Sequence, residues 1–223
     1  MIKGAVMDVD GVILDSAWVW EDLGPRYLEG LGIKYASDLS EKIFYMTVEE
    51  SAAYMAETYG IDKDPEDMSR EMTGLLRDFY ENEASLKAGV TEYIEGFRDL
   101  DIPVVIATSG ERRNMEAALD RLGVLRFFTE SLTCRDVGAG KDSPLIYLEA
   151  ARIIGEEPKD IVVLEDSMQG IMTAGKAGFI TAGVFDQLEE KNKAAMERAA
   201  DIYIRDFRDP GFGDFIKALQ GRI

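Results

Sequence analysis

From residue 90 onward, the chain alternates between short apolar runs and longer segments with helical periodicity. Residues 161–164 are continuously apolar, as expected of a strand that is buried on both faces. The other strands predicted in this half are residues 102–107, 130–133, 180–185 and 201–204. Because strands that alternate with helices form a parallel sheet covered on both sides, and crossovers are right-handed, we predict an α/β fold with a doubly wound parallel sheet.

The first predicted strand, residues 2–7, is separated from the others by a long helical segment. Residues 16–82 lack strand-like β-branched runs, and their apolar positions recur at helical spacing. The first strand therefore belongs with the second half of the chain. We predict an α/β core of residues 1–15 and 83–223 with an inserted all-helical cap of residues 16–82. An insertion just beyond a strand end is well placed to act as a lid.

The composition excludes several classes of function. Because the chain has no histidine, it cannot use Ser-His-Asp or Cys-His catalysis, His-ligated zinc or phosphohistidine chemistry. The net charge of −18 repels nucleic acid and anionic membranes, and no apolar run approaches the ~20 residues of a membrane span. The single Cys134 provides no disulfide framework. We expect a cytoplasmic monomer that binds neither nucleic acid nor membrane.

Two acidic residues, Asp8 and Asp10, come directly after the first predicted strand. Side chains at positions i and i+2 of a strand lie on the same face, so these carboxylates would repel each other. One of them would keep its proton unless a cation lies nearby. This pattern suits a metal-bound nucleophile beside a proton-carrying acid. The alternative is a simple turn, because Asp10-Gly11 is a turn dipeptide.

Polar residues also follow later strands, and all of them would meet at the carboxyl edge of the sheet, where ligands bind. Thr108, Ser109 and Gly110 offer hydroxyl and backbone N–H groups to a phosphate at the start of a helix. Taken alone, Thr108 and Ser109 would be ordinary helix caps. Lys141 follows a glycine-rich loop and could neutralise a phosphoryl oxygen, whereas taken alone it would be a solvated loop lysine.

Glu165 and Asp166 add two more carboxylates to this edge. Four carboxylates at one edge require a hard divalent cation, and oxygen ligands select Mg²⁺. The alternative for these two residues is a turn with a cap. Because all the motifs fall on one edge of the sheet, a Mg²⁺-dependent phosphate site outweighs the separate alternatives.

Four motifs occur in order along the chain, at residues 8–16, 107–110, 140–144 and 163–171. Together they resemble the motifs of the haloacid dehalogenase superfamily. The similarity is to the branch with a helical cap after the first strand, which contains β-phosphoglucomutases and phosphatases. It extends over essentially the whole chain, and implies a Rossmann-like core.

The resemblance implies roles for the acidic residues. Asp8 would be the nucleophile that forms an aspartyl phosphate, and Asp10 would protonate the leaving oxygen and then deprotonate the attacking water. Asp8, the backbone carbonyl of Asp10 and Asp166 would hold Mg²⁺, with Glu165 nearby. These roles agree with the physics, since phosphoryl transfer depends on positioning and charge stabilisation more than on a strong base.

The resemblance also implies a phosphate-binding set. Thr108 would bind a phosphoryl oxygen, helped by backbone N–H groups near Ser109 and Gly110. Lys141 would offset charge on Asp8 and on the phosphate.

Position 10 narrows the chemistry within the family, and the cap region distinguishes a phosphatase from a mutase. The acid at Asp10 indicates phosphate-ester chemistry rather than dehalogenation or phosphonate cleavage. Similar mutases carry a histidine soon after the first motif and a Gly-x-Ser-Arg-like loop in the cap. This chain has no histidine, and residues 44–48 contain no arginine. We therefore predict a phosphatase acting on a small phosphorylated metabolite; the alternatives are a sugar-phosphate mutase and a non-catalytic phosphate-binding protein.

Aromatic residues form one edge of the predicted cap: Trp18, Trp20, Phe44 and Tyr45. We predict that Trp20 and Tyr45, in particular, contact an apolar or ring-bearing part of a phosphomonoester. The alternative is that these side chains only pack inside the cap, since aromatic residues mostly bury themselves.

Overall fold

The computed structural model of the chain describes residues 2–43 and 46–221. The chain forms two compact units, one of residues 1–16 and 84–223 and one of residues 17–83. Phe44 and Tyr45, which belong to the predicted aromatic edge, lie outside the described residues. No helix within the described ranges is long and apolar enough to cross a membrane.

The smaller unit is built from helices. Its helices are α1 (Val19–Gly30), α2 (Leu39–Ile43), α3 (Val48–Tyr59) and α4 (Pro65–Asp78). The start of α3 is a capping box between Thr47 and Glu50, and the helix ends at Gly60 in the left-handed conformation. Asp64 caps α4, with Pro65 at the first helical position. These local signals fix the ends of two helices that pack against each other.

The larger unit contains six strands and seven helices within the described residues. The strands are β1 (Gly4–Met7), β2 (Val104–Thr108), β3 (Glu130–Thr133), β4 (Ile161–Glu165), β5 (Ile180–Val184) and β6 (Ile202–Ile204). The helices are α5 (Val90–Asp99), α6 (Arg112–Arg121), α7 (Cys134–Val137), α8 (Leu145–Ile154), α9 (Met168–Lys176), α10 (Lys193–Ala199) and α11 (Phe212–Gln220).

The six strands form one parallel sheet with the order β3-β2-β1-β4-β5-β6. The prediction of a doubly wound parallel sheet is therefore confirmed. β1 lies in the middle and pairs with β2 on one side and β4 on the other. The strand order reverses between β1 and β4, and sheets of this kind bind ligands at the carboxyl ends of the strands at such a switch point.

Helices α8 and α9 cover one face of the sheet. Ile146, Tyr147 and Ala150 of α8, with Ala174 of α9, pack on alternate strand residues such as Val6. This burial positions the loops that precede both helices at the carboxyl edge of the sheet. Near the C-terminus, Phe212–Gln220 form α11, which contacts α5. The sequence pattern did not predict this helix.

Candidate active site

The loop after β1 carries the first two acids. Asp8 is 8% exposed, and its backbone N–H donates to the carbonyl of Leu164 in β4 at 3.1 Å. The chain then turns at Gly11, which has a φ of +79°, and the Leu14 N–H donates back to the Val9 carbonyl at 2.8 Å. The turn proposed as an alternative is therefore present, and the Asp8 carboxylate is buried at its start.

Gly11 is required by space as well as by conformation. A Cβ atom at this position would lie 2.2 Å from Asp166 Oδ2, and the positive φ is one that side chains other than glycine rarely adopt. The absence of a side chain lets the loop after β1 approach the Asp166 carboxylate after β4. Sequence reasoning assigned no role to Gly11 beyond the turn.

Lys141 is enclosed by acidic partners. Its Nζ lies 2.7 Å from Asp8 Oδ1 and 2.5 Å from Glu165 Oε1, and only 10% of its side chain is exposed. The alternative of a solvated loop lysine is therefore wrong. Burial lowers the pKa of Lys141, but the charges of Asp8 and Glu165 outweigh burial and hold the pKa above its usual value. The ammonium thus stays charged between the two strand ends.

Glu165 is held by groups that the sequence did not point to. The hydroxyl of Tyr147 donates to Oε1 at 2.9 Å, and Ser167 Oγ donates to Oε2 at 2.9 Å. Gly170 faces the carboxylate so closely that a Cβ there would lie 2.5 Å from Glu165 Cδ. The α9 cap is Ser167, whose Oγ accepts from the Gly170 N–H at 3.1 Å. The alternative, a turn with a cap, is therefore present as well, with Ser167 as the cap and the Glu165 carboxylate buried beside it.

Three carboxylates form a cluster that could hold a metal ion. Ligand oxygens of Asp8, Glu165 and Asp166 all lie within 4.8 Å of one another, and the single ammonium of Lys141 faces them. When all three acids are ionised, two negative charges remain uncompensated, which fits a divalent cation. The Lys141 ammonium is the partner of Asp8 Oδ1, at 2.7 Å, and a ligand set made of oxygen atoms suits a hard ion.

The raised pKa values of two acids in this cluster also favour a bound cation. Burial raises the pKa of Asp8 to about 7, although the Lys141 charge opposes the rise. Burial, followed by the charges of Asp8 and Glu165, raises the pKa of Asp166 well above its usual range. Both carboxyl groups are therefore costly to ionise without an added cation.

Asp10 is not one of these three carboxylates, but its charge also raises the pKa of Asp8. Its side chain lies close to the end of β2. Ser16 Oγ donates to Asp10 Oδ1 at 2.5 Å. A Cβ at Gly110 would lie 3.4 Å from Asp10 Oδ2 and 3.3 Å from Thr108 Oγ1, so the three residues meet. Ser16 is the last residue of the first motif, but sequence reasoning assigned it no role.

Thr108 and Ser109 do not cap α6. The buried Thr108 Oγ1 accepts from the Gly110 N–H at 3.0 Å, whereas the N-cap of α6 is Glu111 without a side-chain hydrogen bond. The capping alternative is therefore wrong. Since Thr108 Oγ1 accepts this bond, its own hydroxyl proton remains available to a ligand. The side chain of Ser109 is exposed.

In the helical unit, Trp20 is 37% exposed and borders a cavity of about 320 Å³. The cavity is also lined by Leu23, Ile43, Met46 and Met72. Trp18 instead packs edge-to-face against Phe79, with ring centroids 5.2 Å apart. Trp18 is 43% exposed in spite of this contact. Neither tryptophan is buried, and the role of Trp20 stays a prediction.

A family model of haloacid dehalogenase-like hydrolases matches residues 2–178. The chain belongs to this family. It is 26% identical over 205 residues to the phosphorylated carbohydrates phosphatase of Thermotoga maritima. The aligned region covers 92% of this chain and 94% of that protein. It is 30% identical over 173 residues to the bifunctional riboflavin kinase/FMN phosphatase of Arabidopsis thaliana, over 77% of this chain but only 45% of that longer protein.

A solved structure supports the same assignment. A Thermotoga maritima protein, provisionally described as a β-phosphoglucomutase, superposes with a TM-score of 0.81 at 26% identity, over 92% of this chain and 94% of that one. The resemblance deduced from the motifs is therefore confirmed, and so is the prediction of an enzyme. For this haloacid dehalogenase-like hydrolase, the roles of individual residues stay predictions.

Proposed function

We propose that the protein is a Mg²⁺-dependent phosphatase that hydrolyses a small phosphomonoester through an aspartyl phosphate on Asp8. The observation that carries this proposal is the environment of Asp8. Its buried carboxylate lies at the carboxyl edge of the sheet, against Lys141 and within reach of Glu165 and Asp166. The phosphatases among the relatives support the same reaction class.

In the first step, an oxygen of Asp8 attacks phosphorus, and the bond between phosphorus and the ester oxygen breaks. Asp10 gives its proton to the leaving oxygen, so that a neutral alcohol departs. Ser16 donates to Asp10 Oδ1, which leaves Oδ2 directed toward Gly110 and Thr108. Splitting hydrolysis through a carboxylate in this way is ordinary covalent catalysis.

In the second step, water attacks phosphorus of the aspartyl phosphate and loses a proton to Asp10. The bond between Asp8 and phosphorus breaks, inorganic phosphate leaves, and both acids return to their starting states. The Thr108 hydroxyl donates to a phosphoryl oxygen, with the N–H groups near Ser109 and Gly110 beside it. Lys141 offsets negative charge at Asp8 throughout.

Asp8, Asp166 and the backbone carbonyl of Asp10 would hold Mg²⁺, with Glu165 nearby. When bound, the ion offsets negative charge on the phosphoryl group and on the carboxylates. The cluster's uncompensated negative charge and its oxygen ligands support this assignment.

We further propose that residues 17–83 act as a cap that selects the substrate. The cavity beside Trp20 has mostly apolar walls, with Thr47, Glu49 and Ser51 among its lining residues. Its apolar part supports a role for Trp20 in binding an apolar or ring-bearing part of the ester. Tyr45 is proposed to act with it. A cytoplasmic location and a monomeric state stay predictions from the sequence.

Phosphate release from a panel of esters tests the proposal. The panel contains sugar phosphates, phosphoglycolate, nucleotides and polyol phosphates, each assayed with Mg²⁺ and with EDTA. We expect Mg²⁺-dependent release that disappears in Asp8→Asn. The control Asp214→Asn removes an exposed carboxylate from α11 and should leave release unchanged.

Two outcomes would contradict a phosphatase. Isomerisation of a hexose phosphate in the presence of a bisphosphate, with little phosphate released, would indicate a mutase. A folded protein that is stabilised by phosphate but inactive in both assays would indicate a phosphate-binding protein.

A further inference from the structure

Lys87 and Asp186 form an ion pair that belongs to none of the four motifs. Along the sequence, Lys87 comes shortly before α5, and Asp186 follows β5. Their side chains are only 17% and 8% exposed, and Lys87 Nζ lies 2.8 Å from Asp186 Oδ2. The charge of Asp186 also contributes to the raised pKa of Asp166, so the pair lies close to the carboxylate cluster.

Lys87 also holds the backbone of the loop after Asp8. Its Nζ donates a second hydrogen bond to the carbonyl oxygen of Gly11 at 2.5 Å. Gly11 comes directly after Asp10, and it fits against Asp166 with no room for a Cβ. A shift of the Gly11 carbonyl would therefore displace Asp10 on one side and disturb the space for Asp166 on the other.

Both members of the pair are fixed by backbone hydrogen bonds. The Lys87 N–H donates to the Ile13 carbonyl at 2.9 Å. The second carboxylate oxygen of Asp186 accepts the N–H of Leu188 at 3.1 Å. Because the lysine backbone and its counter-ion are both held, the ammonium is directed at Gly11 in one geometry.

We propose that Lys87 is a positioning residue for phosphoryl transfer, which fixes the Gly11 carbonyl, and through it Asp10, with Asp186 as its counter-ion. The inference rests on the proposed function, in which Asp10 transfers the proton. Because Asp186 balances the ammonium charge, Lys87 acts through the geometry of the loop. Misplacing a catalytic group by about 1 Å can cost about 100-fold in rate, so the effect belongs in kcat.

The double variant Lys87→Met/Asp186→Asn tests this inference, because it removes the pair without changing the net charge. With the best ester of the panel, we expect kcat to fall at least about tenfold while KM changes less than about twofold. Hydrogen–deuterium exchange of a peptide covering residues 8–16 should become faster, since its hydrogen-bonded amides lose their support. A substitution that only weakened the fold elsewhere would not combine a lower kcat and a nearly constant KM with faster exchange in residues 8–16.

The matched control is Lys3→Met/Asp160→Asn. It removes another lysine–aspartate pair, with a 2.9 Å separation, at the opposite end of β1. We expect kcat and the exchange of residues 8–16 to stay at wild-type values. If the test variant does not fold, Lys87→Arg replaces it, because arginine keeps the charge but cannot place its donors at the same two positions.

Unchanged exchange in residues 8–16 would overturn the inference. So would a folded variant of an active enzyme whose kcat stays within about twofold of the wild type. If the wild type itself hydrolyses no ester, that result counts against the proposed function, and the exchange measurement then tests separately whether Lys87 fixes the loop of residues 8–16.

Discussion

Replacing Asp8 by Asn should stabilise the metal-free protein, and by an amount that grows with pH. In the folded state, burial raises the pKa of Asp8 from 3.8 to about 7. Between these two values the folded state binds the proton that the unfolded state has released, so the stability of the wild type falls as pH rises. Asn carries no such proton and escapes this loss.

The magnitude follows from the size of the pKa change. A change from 3.8 to about 7 corresponds to about 4 kcal/mol once both states are ionised. Part of this loss has already occurred at pH 5, so the stability difference between the variant and the wild type should grow by about 3 kcal/mol between pH 5 and pH 8. A cation bound to the carboxylates should reduce it.

Urea unfolding in EDTA at several pH values measures this difference. Far-UV circular dichroism is the suitable probe, because both tryptophans, Trp18 and Trp20, lie in the helical unit. Asp214→Asn is the control for removing an exposed carboxylate. A difference that is equal at pH 5 and pH 8 would refute the reasoning, as would one that saturating Mg²⁺ leaves unchanged.

Three further substitutions test the surroundings of the site. Gly170→Ala should lower stability in thermal unfolding by about 1–3 kcal/mol, because the new Cβ would displace the Glu165 carboxylate. The control Gly213→Ala should cause no loss, because a Cβ there meets nothing within 4 Å. Equal effects of the two substitutions would contradict the packing argument. Tyr147→Phe removes a donor to Glu165 and should cost about 1–3 kcal/mol in denaturant unfolding; no measurable cost would mean that another donor replaces the hydroxyl. Trp20→Ala should change the ranking of kcat/KM across the ester panel, and an unchanged ranking would limit this side chain to packing.

Sequence periodicity predicted all six strands because each is a short apolar run with a helix before or after it. The C-terminal α11 was missed, although it is amphipathic. Its residues Phe212 and Phe215 pack with Tyr93 and Phe97 of α5, and a Cβ at Gly96 would lie 2.2 Å from the Phe212 ring. Such a helix is specified by a complementary surface that is distant in sequence.

The motif acids were predictable for a different reason. Parallel strands bring their carboxyl ends to one edge, so Asp8 and Glu165 could be placed together from strand order alone. The local sequence around each motif was a poorer guide to the side chains that surround these acids. Thr108 and Lys141 each had a plausible solitary role, as a cap and as a solvated lysine, and the structure assigns them neither.

The sequence by itself therefore determined the parallel sheet, the helical insertion and the set of acids at one edge, because periodicity and motif order are properties of neighbouring residues. Only the tertiary structure decided which side chains support those acids. Tyr147 looks like any core residue of a helix, and Lys87 and Asp186 are 99 positions apart. Tyr147 reaches Glu165, and Lys87 reaches Gly11 and Asp186, only because of the way the strands and loops pack in three dimensions. A local sequence pattern carries no information about contacts between residues so far apart along the chain.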